Sequence, residues 1–121
     1  MARVLRLGEA ERLQLQGRVA TQILKGDDTA GQMTVRIVEV APEIHGTKAR
    51  PLHVHEGVGE FIWILKGSGT LHCSDGLVPA QTGEGVYIPP GELHKIVPSG
   101  SEPLHLMCVF PTGDIAARTQ E

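Results

Sequence analysis

His53 and His55 stand two residues apart in the stretch RPLHVHEGVGEFIWILKG, and Glu60 follows five positions later. On an extended strand alternate side chains share a face, so both imidazoles point one way while Leu52 and Val54 point the other. An unbroken strand would turn Glu60 away from them. Gly57 and Gly59 lie between and permit a bend that resets the face. Beyond the bend Glu60, Ile62 and Ile64 share one face and Phe61, Trp63 and Leu65 the other. Both faces are apolar, which predicts a strand covered on both sides. An ionised glutamate facing a core is costly unless something pairs with it, and two neutral imidazoles there also need partners. A divalent transition metal satisfies all three groups. Imidazole and carboxylate ligands suit iron, manganese, zinc, nickel or copper.

A second stretch, GEGVYIPPGELHKIVPSG, carries Gly83, Pro89, Gly91 and His94. Its prolines and Gly91 predict a turn after a strand over 86–88. His94 then opens the next strand, where it could face the same cavity.

Short segments rich in Val, Ile and Leu, punctuated by 15 glycines and 8 prolines, must position these side chains. They predict an all-β fold. The expected strands are 18–24, 32–40, 51–55, 60–67, 69–74, 85–90, 93–97 and 104–110. A tight turn at 66–69 is expected to pair the strands on either side of it. The stretches SDGLVPAQTGE and PSGSEP have loop composition. Residues 8–17 are the one helical candidate, or part of an extended N-terminal arm over 1–30. The tail after 110 is expected to be loose or helical at the surface. With 121 residues and no internal repeat, the expectation is one domain over 1–121.

The net charge of −3 and the 3% aromatic content speak against a nucleic-acid surface. No apolar run approaches a membrane span. Cys73 and Cys108 make no disulfide framework and are expected as buried thiols. The N-terminus lacks a signal-peptide core, so the cytoplasm is the expected location.

Together the two histidine segments resemble the paired motifs of the cupin superfamily, in its small single-domain form. The first motif runs G-x5-H-x-H-x3,4-E-x6-G, and His53, His55, Glu60 and Gly67 match it. The leading glycine, Gly46, is displaced by one residue. The second runs G-x5-P-x-G-x2-H-x3-N, matched by Gly83, Pro89, Gly91 and His94, with Pro98 where the pattern has asparagine. The resemblance covers about residues 34–110. It implies an antiparallel jelly-roll β-barrel, a double-stranded β-helix, with one divalent metal inside held by His53, His55, Glu60 and His94. Iron stands first among the five metals. One or two coordination positions would stay free for water, substrate or dioxygen. Glu56 is the rival carboxylate, and the spacing leaves it as a solvated loop charge.

Beyond the ligands, His72, His105 and Tyr87 are candidates for a catalytic acid or base. His45 is expected to be exposed, and Arg36 and Arg50 are expected to be solvated strand charges. Phe61, Trp63, Phe110 and Met107 are expected in the core or a dimer contact. The resemblance implies a metalloenzyme acting on a small molecule, with dioxygenase chemistry placed ahead of lyase or isomerase chemistry. The alternative is a non-catalytic metal- or ligand-binding barrel. A homodimer is the expected assembly. A three-histidine site is expected to release its metal as pH falls through roughly 6, where ordinary imidazoles protonate.

Overall fold

The computed structural model describes residues 2–44, 46 and 48–121. Its fold is all-β, and the strand pairings are antiparallel. One sheet holds six strands in the spatial order β1 (Glu11–Leu15), β2 (Arg18–Leu24), β3 (Thr34–Val40), β10 (Leu104–Phe110), β5 (Glu60–Lys66) and β8 (Gly85–Ile88). A second has the order β7 (Gly76–Gln81), β6 (Ser68–Cys73) and β9 (Lys95–Pro98). A small third sheet pairs β4 (Val54–His55) with β11 (Thr119–Gln120). The result is a jelly roll of facing sheets, not closed by a continuous ring of hydrogen bonds.

Alternation decides which side chains face inward. On β5, Glu60, Ile62 and Ile64 are buried, and on β10 so are Leu104, Leu106, Cys108 and Phe110. Ile64 and Leu104 have no solvent exposure and pack in one buried apolar core that includes Leu71 of β6 and Ala80 of β7.

Several sequence expectations are corrected. Residues 8–17 form no helix: a single 3-10 turn at Leu7–Glu9 leads into β1, which forms a hairpin with β2 across Gly17. Strand pairing overrides the modest helix preference of the Glu, Leu and Gln residues. The stretch read as a loop after Ser74 contains β7. Pro79 disguised it, and proline is tolerated there because β7 is an edge strand. The turn at 66–69 does not pair β5 with β6. It carries the chain from one sheet to the other, and β6 pairs with β7 and β9 instead. Gly69 marks the close approach at this crossing: a Cβ there would lie 2.8 Å from both Leu104 Cδ2 and the Val97 carbonyl oxygen. The tail is not loose: it forms a 3-10 helix over Ile115–Arg118, as one of its two expected forms, but Ile115 is buried in the core and β11 pairs with β4. Within the chain the outer face of β5 is left half-exposed, with Phe61, Trp63 and Leu65 at 41%, 37% and 41% exposure.

Candidate metal centre and cavity

Backbone pairing brings the two histidine segments together. The His53 N–H donates to the His94 carbonyl at 2.9 Å, and the His94 N–H donates to the His53 carbonyl at 2.8 Å. The Gly91 N–H, in the turn before His94, donates to the His55 carbonyl at 3.0 Å. The bend after His55 has Gly57 at φ 75°, a left-handed conformation that favours glycine. It returns Glu60 to the face of the two histidines. One ligand-type atom from each of His53, His55, Glu60 and His94 lies within 4.8 Å of all the others, a group that could hold a metal ion. Glu56 stays exposed in the bend.

The hydrogen bonds around these rings fix where their protons sit. His94 Nδ1 lies 2.8 Å from the Glu92 carbonyl, which can only accept, so Nδ1 carries the proton. The Thr119 hydroxyl donates to the Ile115 carbonyl at 2.7 Å and so accepts from His55 Nδ1 at 2.9 Å. In both neutral rings Nε2 therefore presents a lone pair. These two nitrogens lie 3.2 Å and 3.1 Å from one oxygen, Glu60 Oε1. Two lone pairs and a carboxylate oxygen converge with no proton to share unless an imidazole is protonated. A cation resolves that convergence. Ligand atoms about 2.1 Å from a common metal, at right angles, are about 3 Å apart, which is the separation seen.

Burial pushes the Glu60 carboxyl up; hydrogen bonds donated by the imidazoles of His55 and His94 would outweigh it and hold it at about 2, and where those nitrogens present lone pairs instead a bound cation would take over that role. Burial, then the neighbouring His94, depresses His53 to about 3 against the opposing pull of Glu60. His53 Nδ1 is buried with no hydrogen-bond partner among the described residues. Cys108 lines the same space, and burial together with the Glu60 charge keeps its thiol protonated. The donor set is thus imidazole and carboxylate, and it fits a divalent transition metal.

The cluster opens into a cavity of about 330 Å³. Its apolar wall includes Leu13, Val38, Ile62, Leu106 and Phe110. Three arginines, Arg18, Arg36 and Arg50, also line it, as does Glu121. Arg36 and Arg50 are therefore not solvated strand charges. Arg36 lies on the inward face of β3 with Val38 and Val40, two and four residues on, and its guanidinium sits 5.9 Å from the Phe110 ring centre. Arg50 is buried and donates to the Ile96 carbonyl at 2.6 Å. The same alternation on β2, with Ala20 buried, would have pointed to Arg18. Sequence reasoning missed Arg18, Thr119 and Glu121, the last two because the tail was read as loose or helical at the surface.

The structure does not bring His72, His105 or Tyr87 to the cavity lining, and Tyr87 is 65% exposed on the outer face. His45 lies outside the described residues. Cys73 is half-buried and Cys108 buried, both as free thiols. Among the described residues no helix is long and apolar enough to cross a membrane.

Comparison with known proteins gives this architecture its place. The Cupin domain family profile matches residues 37–110. The "Oxalate-binding protein" of Thermotoga maritima is 36% identical over 59 residues, 49% of each chain. The chain spans about half the length of the curated relatives it matches. Among solved structures, a predicted oxalate decarboxylase from Thermotoga maritima has a TM-score of 0.74 at 24% identity, covering 91% of this chain and 99% of that one. A cupin-superfamily sugar phosphate isomerase from Silicibacter pomeroyi has a TM-score of 0.70 at 24% identity, covering 90% and 75%. At that identity the structural likenesses speak to the fold. The family match spans more than half the chain and takes in both histidine segments, on a jelly roll shared with solved cupins: the chain belongs to the cupin family.

Proposed function

We propose that this cupin binds one divalent transition metal through His53, His55, Glu60 and His94, and acts on a small carboxylate-bearing molecule by lyase or isomerase chemistry. The observation that carries the reading is the placement of three arginines around the cavity that holds the four ligand-type side chains. A bound divalent metal supplies a Lewis acid for negative charge developing on a substrate oxygen. Glu60, ionised and bracketed by two imidazoles, neutralises part of the metal's charge. Arg18 and Arg36 favour an anionic substrate, and Ile62, Leu106 and Phe110 exclude water from around it. The names of the relatives, an oxalate-binding protein and a predicted oxalate decarboxylase, agree with a small dicarboxylate. Dioxygenase chemistry, placed first on the resemblance, draws no such support.

The second reading is binding without turnover, favoured by the name of the Thermotoga maritima oxalate-binding protein. Elemental analysis of protein purified without added metal or a histidine tag tests the common core of both. About one metal per chain is expected. Oxalate titration, and assays for carbon dioxide release and isomerisation under nitrogen, then separate turnover from binding. Absence of metal even after reconstitution would sink the metal reading. Oxygen consumption matched to product would move the chemistry to dioxygenation.

Thr119 gives a narrower prediction. Thr119→Val removes the acceptor for His55 Nδ1–H and frees the ring to change tautomer. Metal affinity, read by chelator competition, is expected to fall about 10- to 100-fold with the fold intact. Unchanged affinity would mean that the hydroxyl does not orient the ring.

We also infer a homodimer, supported by the half-exposed apolar row Phe61, Trp63 and Leu65 beside Tyr87.

A further inference from the structure

The three cavity arginines are held in different ways. Arg50 is buried, donates to the Ile96 carbonyl, and has Glu43 first and Glu121 second as opposing charges. Arg36 donates through Nε to the Gln22 side-chain oxygen at 3.2 Å and lies over Phe110. Both are built into the wall. Arg18 projects from β2 with one guanidinium nitrogen on the Gln16 carbonyl at 3.0 Å. Its other terminal nitrogen, Nη2, donates to Glu121 Oε1 at 2.6 Å. The Arg18 side chain is 12% exposed and that of Glu121 34%, and both line the cavity that holds the metal-ligand cluster.

We propose that Arg18 is the anchor for a substrate carboxylate, and that Glu121 occupies this anchor as an internal competitor until substrate displaces it. The inference rests on the preceding reading of the site and names the residue that selects its substrate class. A carboxylate already sits on Arg18, so the geometry for receiving one is in place. Exchange swaps one ion pair for another, leaving the guanidinium paired throughout. Glu121 can leave without disturbing the barrel. It follows β11, a two-residue strand whose contact with β4 is limited to two residue pairs. Arg18 and the metal-ligand group line the same cavity, so a carboxylate bound on Arg18 shares that space with them. Glu121 thereby sets a threshold: ligands without an anionic group cannot displace it, and the cavity discriminates by charge before any chemistry occurs.

The test is oxalate titration of the full chain by calorimetry, with metal content measured for each variant. Glu121→Gln should bind oxalate about three- to tenfold more tightly than wild type, the range expected for removing one partly exposed competing ion pair. Arg18→Met should bind at least about tenfold more weakly. The double variant should fall to within about twofold of Arg18→Met, because Arg18 is the group to which the Glu121 carboxylate is hydrogen-bonded. All should keep wild-type metal content, since neither residue belongs to the ligand group. Equal or weaker binding by Glu121→Gln overturns the proposal, as does a gain that survives in the Arg18→Met background. Loss of all oxalate binding in wild type and Glu121→Gln alike also overturns it. Absence of metal in wild type is a failure of the preceding reading instead. The Arg18 and Glu121 comparison then reads on metal-free protein with the same outcomes.

Discussion

His94→Ala is expected to purify with less than about a tenth of the wild-type metal while remaining folded. The argument begins with position. His94 is 1% exposed, its Nδ1 is held by the Glu92 carbonyl, and its Nε2 lies 3.1 Å from Glu60 Oε1. Alanine removes one of four ligand-type groups and leaves Glu60 facing His55 alone. Loss of an outer-shell partner alone typically costs 10- to 100-fold in affinity, and loss of a direct ligand costs more. The truncation also opens a small cavity, costing on the order of 2–4 kcal/mol, within reach of a domain of this size. Glu60→Gln should have a similar effect on metal with less effect on packing, since shape is kept and charge is lost. Glu56→Ala is the control: it lies exposed in the bend and should keep full metal content. Wild-type metal in His94→Ala and Glu60→Gln would refute the ligand assignment.

The metal-stripped protein is expected to lose stability steadily as pH falls from about 6.5 toward 3. His53 ordinarily titrates near 6.5 but is held at about 3 in the folded chain, so between those values the unfolded chain binds the proton and the folded chain does not. Stability therefore rises with pH across that window and is lost on acidification, by an amount on the order of 4 kcal/mol for this group. Glu60 acts in the same direction lower down. Its carboxyl is held at about 2 against an ordinary 4.5, so the stability it contributes above 4.5 is lost as pH falls toward 2. Thermal unfolding of chelator-treated protein from pH 7 to pH 4 should show a falling midpoint. His53→Gln, which cannot titrate, should flatten the upper part of that fall. A midpoint constant from pH 7 to pH 4 would contradict it.

The alternating strands were legible because burial on a two-faced strand writes itself into every second residue. The limits of β10 (Leu104–Phe110) and β2 (Arg18–Leu24) could be read in this way. The convergence of His53, His55 and Glu60 was legible because glycine at a bend has few other uses. What escaped were features set by distant partners. β7 looked like a loop because its proline is compatible only with an edge position, and edge position belongs to the sheet. The inward turn of Arg18 and Arg36 was overlooked because charge was weighted above alternation. The roles of Thr119 and Glu121 depend on a tail that pairs with a segment more than sixty residues earlier, Thr119 opposite His55, and no local pattern announces that.

The reciprocal backbone bonds between His53 and His94 have a consequence for metal exchange. They join two segments 41 positions apart without any contribution from an ion. The entropy of bringing the ligands together is thus met when the chain folds, and an incoming ion closes no loop. Small zinc modules collapse when their ion is removed because there the ion is the closure. Here the receptacle outlasts its contents. A chelator should empty it at neutral pH and leave the barrel standing, and the ion it next accepts is then decided by supply and donor chemistry rather than by refolding.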